Sequence, residues 1–326
     1  MFTKLRNNIS QMQMIALGFF CIILIGTLLL MTPLASRAGT WTDFLTALFT
    51  STSATCVTGL VVTNTYLHWS LFGQIIIITL IQIGGLGFIT FGFGFSMFLR
   101  KKITLRQRGL LKESVNVVNT GGIVRLARLI LQGTLLFEGI GALILTLCFL
   151  RDMPFSQALY YGIFHSISAF CNAGFDLMGR YEAFSSLTGY ASDVLVNITV
   201  MLLIIIGGIG FLVWDDILKC RLSFKNYSLH SKIVLVTTPV LLVGGAIGYF
   251  VFEQNYTLQG NGIGEQILKS FFASTTMRTA GFNTIDYASM SPSASLLSDV
   301  LMMIGGSLGA QSVNAVLRAA LPELTK

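Results

Sequence analysis

Charge is what this 326-residue sequence has least of. Lys, Arg, Asp and Glu make up only 11% of it, against roughly 25% in soluble domains. A water-soluble fold of this length needs more charge than that to cover its surface. Histidine occurs three times and cysteine five times, which leaves little for a metal cluster. The odd cysteine total, with Cys21, Cys148 and Cys220 in or beside apolar runs, argues against a disulfide framework. These shortages exclude a soluble enzyme, and they exclude a nucleic-acid binder despite a net charge of +7. What remains is 53% hydrophobic residues and 33 glycines, the composition of an all-α integral membrane protein in contact with lipid.

A helix that crosses a bilayer needs about 20 apolar residues. The first candidate runs from Met12 to Met31, and no charge lies between Arg6 and Arg37. It is too long for a signal-peptide core, and no cleavage site follows. Further candidates are 71–98, 128–150, 193–214, 232–252 and a weaker one from 296 onward. Bases concentrate in alternate segments: Lys4 and Arg6; Arg100, Lys101, Lys102, Arg106, Arg108, Lys112, Arg125 and Arg128; Lys219, Arg221, Lys225 and Lys232. The positive-inside rule then places the N-terminus in the cytoplasm. The basic excess faces anionic lipid and cytosol. The 101–126 loop reads as a topology signal or as a docking site for a cytosolic partner.

An internal repeat carries the chemistry. Gly59, Gly174 and Gly281 each follow a phenylalanine by ten residues (Phe49, Phe164, Phe271) and a hydroxyl by six (Ser53, Ser168, Thr275). A small residue precedes each and an apolar one follows: Thr58 and Leu60, Ala173 and Phe175, Ala280 and Phe282. Downstream, Ile-Gly-Gly recurs at Ile83, Ile206 and Ile304. Each unit reads as a span, a half-length helix (about 41–54, 155–169 and 263–276), a glycine turn and a second span. Irregular backbone at membrane depth survives only where protein buries it or it lines a water-filled cavity. The three turns are therefore expected to meet around one axis. There the negative ends of the short helices and the turn carbonyls can replace the hydration shell of a cation. The blander alternative is that the glycines mark helix contacts, which suffices for the Ile-Gly-Gly elements.

The segments on the other side hold Asp43, Asp152, Asp176, Glu182, Asp193, Glu253, Glu265, Asp286 and Asp299, against Arg37, Arg151, Arg180, Lys269 and Arg278. Such a field concentrates cations at a mouth, although acids also serve solubility alone. Glu138 lies inside a span, either as a functional carboxylate or as a structural partner of another helix. Arg278 stands where the other turns have Cys56 and Cys171. Facing an ion it would repel it, so its guanidinium is expected to turn away and hold carbonyls behind the turn. His165 and Ser166 are adjacent on a helix, about 100° apart, and cannot form a base–nucleophile pair. No enzymatic site is expected. Asp215 and Asp216 read as solvated acids at a helix end.

The stretches Ser53–Leu60, Gln82–Thr90, Phe170–Asp176 and Met277–Thr284 resemble signatures of the Trk/Ktr/HKT superfamily of potassium and sodium transporters. The bacterial Ktr-type membrane subunit is the most similar. The resemblance spans about residues 10–307. It implies membrane–pore-loop–membrane repeats in the bacterial cell membrane, with one filter glycine each, three here of an expected four. The filter positions would be Cys56-Val57-Thr58-Gly59, Cys171-Asn172-Ala173-Gly174 and Arg278-Thr279-Ala280-Gly281, holding K+ through backbone carbonyls. A glycine at position 59 goes with potassium preference in that family. The resemblance also implies a homodimer on a cytosolic nucleotide-binding ring of the RCK type, with no cofactor in this chain.

The expected division is repeat 1 at 1–100, a loop at 101–126, repeat 2 at 127–217, a loop at 218–231, repeat 3 at 232–307 and a divergent tail at 308–326. Ser307-Leu308-Gly309-Ala310-Gln311 stands where the family has Ser-Pro-Gly-Ser-Thr, as loss of one nucleotide would produce. The expected function is potassium uptake, with this copy truncated and weakly active or inactive. A sodium-coupled secondary transporter or a non-transporting interaction subunit are the competing readings.

Overall fold

The computed structural model describes residues 11–87, 90, 123–180, 184–221 and 223–305. The end of the 71–98 span, most of the basic 101–126 loop, Lys4, Arg6, Glu182, Gly306 and the 308–326 tail lie outside the described residues. Among the described residues the chain is helical and has no strand, only one isolated bridge between Ser36 and Trp69.

Three helices are long and apolar enough to cross a bilayer: 13–31, 124–149 and Leu229–Glu253. Their apolar side chains point outward as well as inward. Leu28, Leu135, Leu143 and Val240 are all more than 60% exposed, as lipid-facing positions are. Shorter apolar helices cover Leu71–Leu86 and Pro292–Ile304. Between them sit three half-length helices, Phe44–Thr55, Phe155–Phe170 and Ile263–Thr276. At 1.5 Å per residue none can cross. Their limits fall within a few residues of those expected from the sequence.

The fourth span departs from expectation. In place of one helix over 193–214, Val194–Gly208 and Phe211–Cys220 meet at 88°. Gly210, at φ +88°, makes the elbow. The break frees the Ile206 carbonyl, and the Trp214 indole N–H donates to it at 3.1 Å. Asp215 pairs with Lys219. Asp216 accepts from the Ser228 N–H and from the hydroxyls of Ser228 and Ser231, tying the elbow to the next span. These acids are hydrogen-bonded anchors rather than simply solvated ones.

The chain divides into two compact units, Met1–Phe137 and Glu138–Lys326. In the first, the half-helix Phe44–Thr55 packs against both Gln11–Met31 and Leu71–Leu86. In the second, Phe155–Phe170 packs against Val194–Gly208, and Ile263–Thr276 packs against Leu229–Glu253 and Val194–Gly208.

Two of the Ile-Gly-Gly elements need a glycine because backbone approaches closely. A methyl group at Gly84 would lie 2.0 Å from the Thr55 carbonyl oxygen, and one at Gly207 would lie 1.8 Å from that of Phe170. Each of these carbonyls belongs to the last residue of a half-helix. Gly207→Ala should therefore destabilise the fold by about 3 kcal/mol, because backbone must move. Gly139→Ala, where a methyl meets open space, should be neutral or slightly stabilising. Melting temperatures in detergent check the pair; equal values would contradict this packing.

Candidate functional site

Each half-helix ends in the same unusual turn. Gly59, Gly174 and Gly281 have φ of +79°, +69° and +82°. Two residues earlier, Val57, Asn172 and Thr279 also have positive φ, at +56°, +57° and +71°. Glycine adopts this region freely and asparagine tolerates it, but a β-branched residue does so only under strain. Such strain costs on the order of 1–3 kcal/mol per residue and persists only where surroundings enforce it.

The enforcing contacts are visible. In the first turn the Val57 N–H donates to Ala54 O and the Thr58 N–H to Ser53 O. In the second, Asn172 donates to Ala169 O and Ala173 to Ser168 O. Both are Schellman closures, which satisfy carbonyls left open at a helix end. The third helix stops one residue sooner relative to its glycine, and Ala280 donates to Thr276 O.

Side chains add a clasp. The Ser168 hydroxyl donates to Phe175 O at 2.7 Å, and the Thr276 hydroxyl donates to Phe282 O at 2.7 Å. Each bond ties the half-helix to the residue just past the filter glycine. The repeat marked Thr275 for this place, but its hydroxyl bonds back to Phe271 O. Thr276, one residue nearer the glycine, makes the clasp instead. Ser53, the first-repeat counterpart, has a buried hydroxyl with no bonding partner among the described residues. His165 steadies the second turn: Nδ1 donates to Tyr161 O at 2.7 Å, and Nε2 accepts from the Leu177 N–H at 3.3 Å. Accepting at Nε2 while donating at Nδ1 needs the neutral ring.

Within the second unit two turns touch. A methyl at Gly174 would lie 2.7 Å from Ala280 O and 2.8 Å from Gly281 Cα. The flanking segments interlock, with Leu187 N–H donating to Asn283 O and Asn283 N–H donating to the Ser186 hydroxyl. Gly174, which closes the turn of Cys171, Asn172 and Ala173, is thus brought beside Ala280 and Gly281. Cys56, Val57, Thr58 and Gly59 form a turn of the same internal geometry in the first unit.

Arg278 is buried, and its guanidinium donates to the Thr238 hydroxyl at 3.3 Å on the neighbouring span. Its partner is a side-chain oxygen rather than the expected carbonyls. Several acids thought to form a cation-attracting field serve local structure. Asp43 and Asp193 cap helices, and Asp193 also pairs with Arg151 at 2.9 Å. Asp286 caps the short turn Tyr287–Ser289. Glu253 is fully buried and accepts from Thr257 and from the Ser291 N–H. Glu138 is buried in its helix, and its backbone carbonyl accepts from the Ser166 hydroxyl at 2.7 Å.

Half-helices held between apolar spans, each closing on a strained glycine turn, define the fold of a polytopic membrane protein. The chain belongs to the TrkH cation transport protein family, which it matches over residues 7–318. It is 43% identical over 307 residues to the potassium/sodium uptake protein NtpJ of Enterococcus hirae, covering 94% of this chain and 67% of that one. It is 40% identical over 296 residues to the Ktr system potassium uptake protein B of Bacillus subtilis, covering 90% and 64%. The chain thus spans about two thirds of the length of these relatives. The fold resembles the potassium transporter TrkH of Vibrio parahaemolyticus, with a TM-score of 0.64 and 17% identity over 94% of this chain and 63% of that one.

Asp176, two residues past Gly174, lies outside the spanning helices. Burial pushes its carboxyl up to about 6, against the N–H groups of Met178 and Gly179, which pull it down. The folded chain holds this proton more tightly than the unfolded chain does. Stability should fall as pH rises from about 4 to about 6. Asp176→Asn should flatten that fall, as measured by melting temperature against pH; identical slopes would contradict the assignment.

Proposed function

We propose that the chain forms the cation pathway of a potassium uptake system in the bacterial cell membrane, with its N-terminus in the cytoplasm. The observation that carries this reading is the repeated turn: positive φ at the glycine and at the residue two before it, on the end of a half-helix, three times over. An extended strand alternates its carbonyls between two sides. Left-handed residues on either side of Thr58, Ala173 or Ala280 break that alternation and let successive carbonyls face one way. Oxygens from converging turns then replace water around a cation, helped by the negative ends of the half-helices.

In this reading the filter comprises Cys56 to Gly59, Cys171 to Gly174 and Arg278 to Gly281. Its repeats occupy 1–100, 127–217 and 232–307, joined by loops at 101–126 and 218–231. Potassium is cargo, not a bound cofactor. The names of the relatives support cation uptake, one naming potassium and sodium and another potassium alone. A dimer seated on a cytosolic nucleotide-binding ring fits the same family and the basic segments. The membrane potential supplies about 2.3 kcal/mol per charge per 100 mV.

Gly59→Ser should lower potassium-over-sodium selectivity in liposome flux; an unchanged ratio would remove Gly59 from the filter. Flux that requires sodium would favour the secondary-transporter reading.

A further inference from the structure

Beneath the glycine turns lies a second threefold pattern, built from three residue types on three elements. In the first repeat the Ser51 hydroxyl donates to Ile23 O at 2.8 Å. In the second, Ser166 donates to Glu138 O at 2.7 Å. In the third, Ser274 donates to Leu242 O at 2.8 Å. Each serine is on a half-helix, eight, eight and seven residues before its filter glycine. The third offset carries the same one-residue shift as the turn above it. Each accepting carbonyl lies three residues before a glycine on the preceding span: Gly26, Gly141 and Gly245.

Those glycines make room for the hydroxyls. A methyl would lie 2.5 Å from Ser51 Oγ at Gly26, 2.6 Å from Ser166 Oγ at Gly141 and 2.3 Å from Ser274 Oγ at Gly245. The same methyl would meet a leucine from the following span: Leu80 at 2.8 Å, Leu203 at 2.7 Å and Leu301 at 3.1 Å. Each leucine is buried and stands four residues before the first glycine of its Ile-Gly-Gly element. The three elements of every repeat thus meet at one node.

We infer that Ser51, Ser166 and Ser274 are positioning residues for the filter: each pins its half-helix at a fixed depth against the outer span, and so sets the height of its turn carbonyls. The physical argument is directional. A glycine–leucine contact between apolar helices resists separation but slides easily along the axis. A hydroxyl bonded to one particular carbonyl fixes axial position and rotation together. An axial slip of one residue is 1.5 Å, enough to misplace oxygens that must sit at ion-coordinating distance. Water cannot compete for the carbonyl in lipid, so the bond persists. A helix-facing serine needs no such partner for packing alone, and its recurrence with a matched glycine in all three repeats points to register.

This inference rests on the proposed filter, so its test reads ion preference separately from stability. Purified chain is melted across K+ and Na+ titrations for the parent, Ser274→Ala, Gly245→Ala and the double variant. The parent should be stabilised by K+ at lower concentration than by Na+. Gly245→Ala should be strongly destabilised by its clash with Ser274. The double variant should recover part of the lost melting temperature, because the 2.3 Å clash with the hydroxyl is gone while 3.1 Å contacts with Leu301 and the Cβ of residue 274 remain. Both variants lacking the serine should show the K+-over-Na+ preference reduced by about fivefold, the equivalent of one hydrogen bond. Ser51→Ala and Ser166→Ala should reduce it similarly and provide the same test should Ser274→Ala fail to fold. A lowered melting temperature with unchanged ion preference would make the serines merely structural and overturn the inference while leaving the filter standing. No preference for K+ in the parent would overturn both.

Discussion

A backbone carbonyl inside a membrane has no water to turn to, and this constraint organises the protein. A half-helix ends at membrane depth with its last carbonyls open. The chain closes some of them with N–H groups from the turn itself, and hydroxyls of the half-helix bind carbonyls just past the turn glycine. Thr55 and Phe170 carbonyls are packed instead against Gly84 and Gly207, where only glycine lets backbone come so near. What is left over is a short run of strained residues whose oxygens can be offered to a cation.

The repeats are not identical, and their differences are informative. In the third repeat the clasp residue sits one position nearer its glycine, at Thr276 in place of Thr275, and Gly305 is uncrowded, its nearest neighbour outside its own helix being Thr279 Cγ2 at 4.0 Å. Arg278 reaches Thr238. The first turn leaves the Ser53 hydroxyl without the bond its second-repeat counterpart makes. The second and third turns touch each other through bare Cα atoms, a contact that any side chain would prevent.

Much of this was legible in the sequence. The half-helices could be bounded because each is an apolar run too short to cross, closed by a glycine at a repeated offset. The turn glycines were legible for the same reason. Other features were not. The 88° elbow at Gly208–Gly210 hides inside a continuous apolar run, where composition cannot separate a bent helix from a straight one. The acids read as a field because their local caps depend on backbone geometry that spacing alone does not reveal. The serine–glycine–leucine nodes escaped notice because each draws one commonplace residue from three separated segments. The partner of Arg278 depends on which hydroxyl the neighbouring span presents.

The central claim is that three turns share one ion. Its most direct test is anomalous scattering from crystals grown in a heavier potassium substitute such as rubidium or thallium. The account predicts a peak ringed by main-chain oxygens from the turns at Gly59, Gly174 and Gly281. A map in which the Gly59 turn stands apart from the other two, with no ion between them, would contradict it.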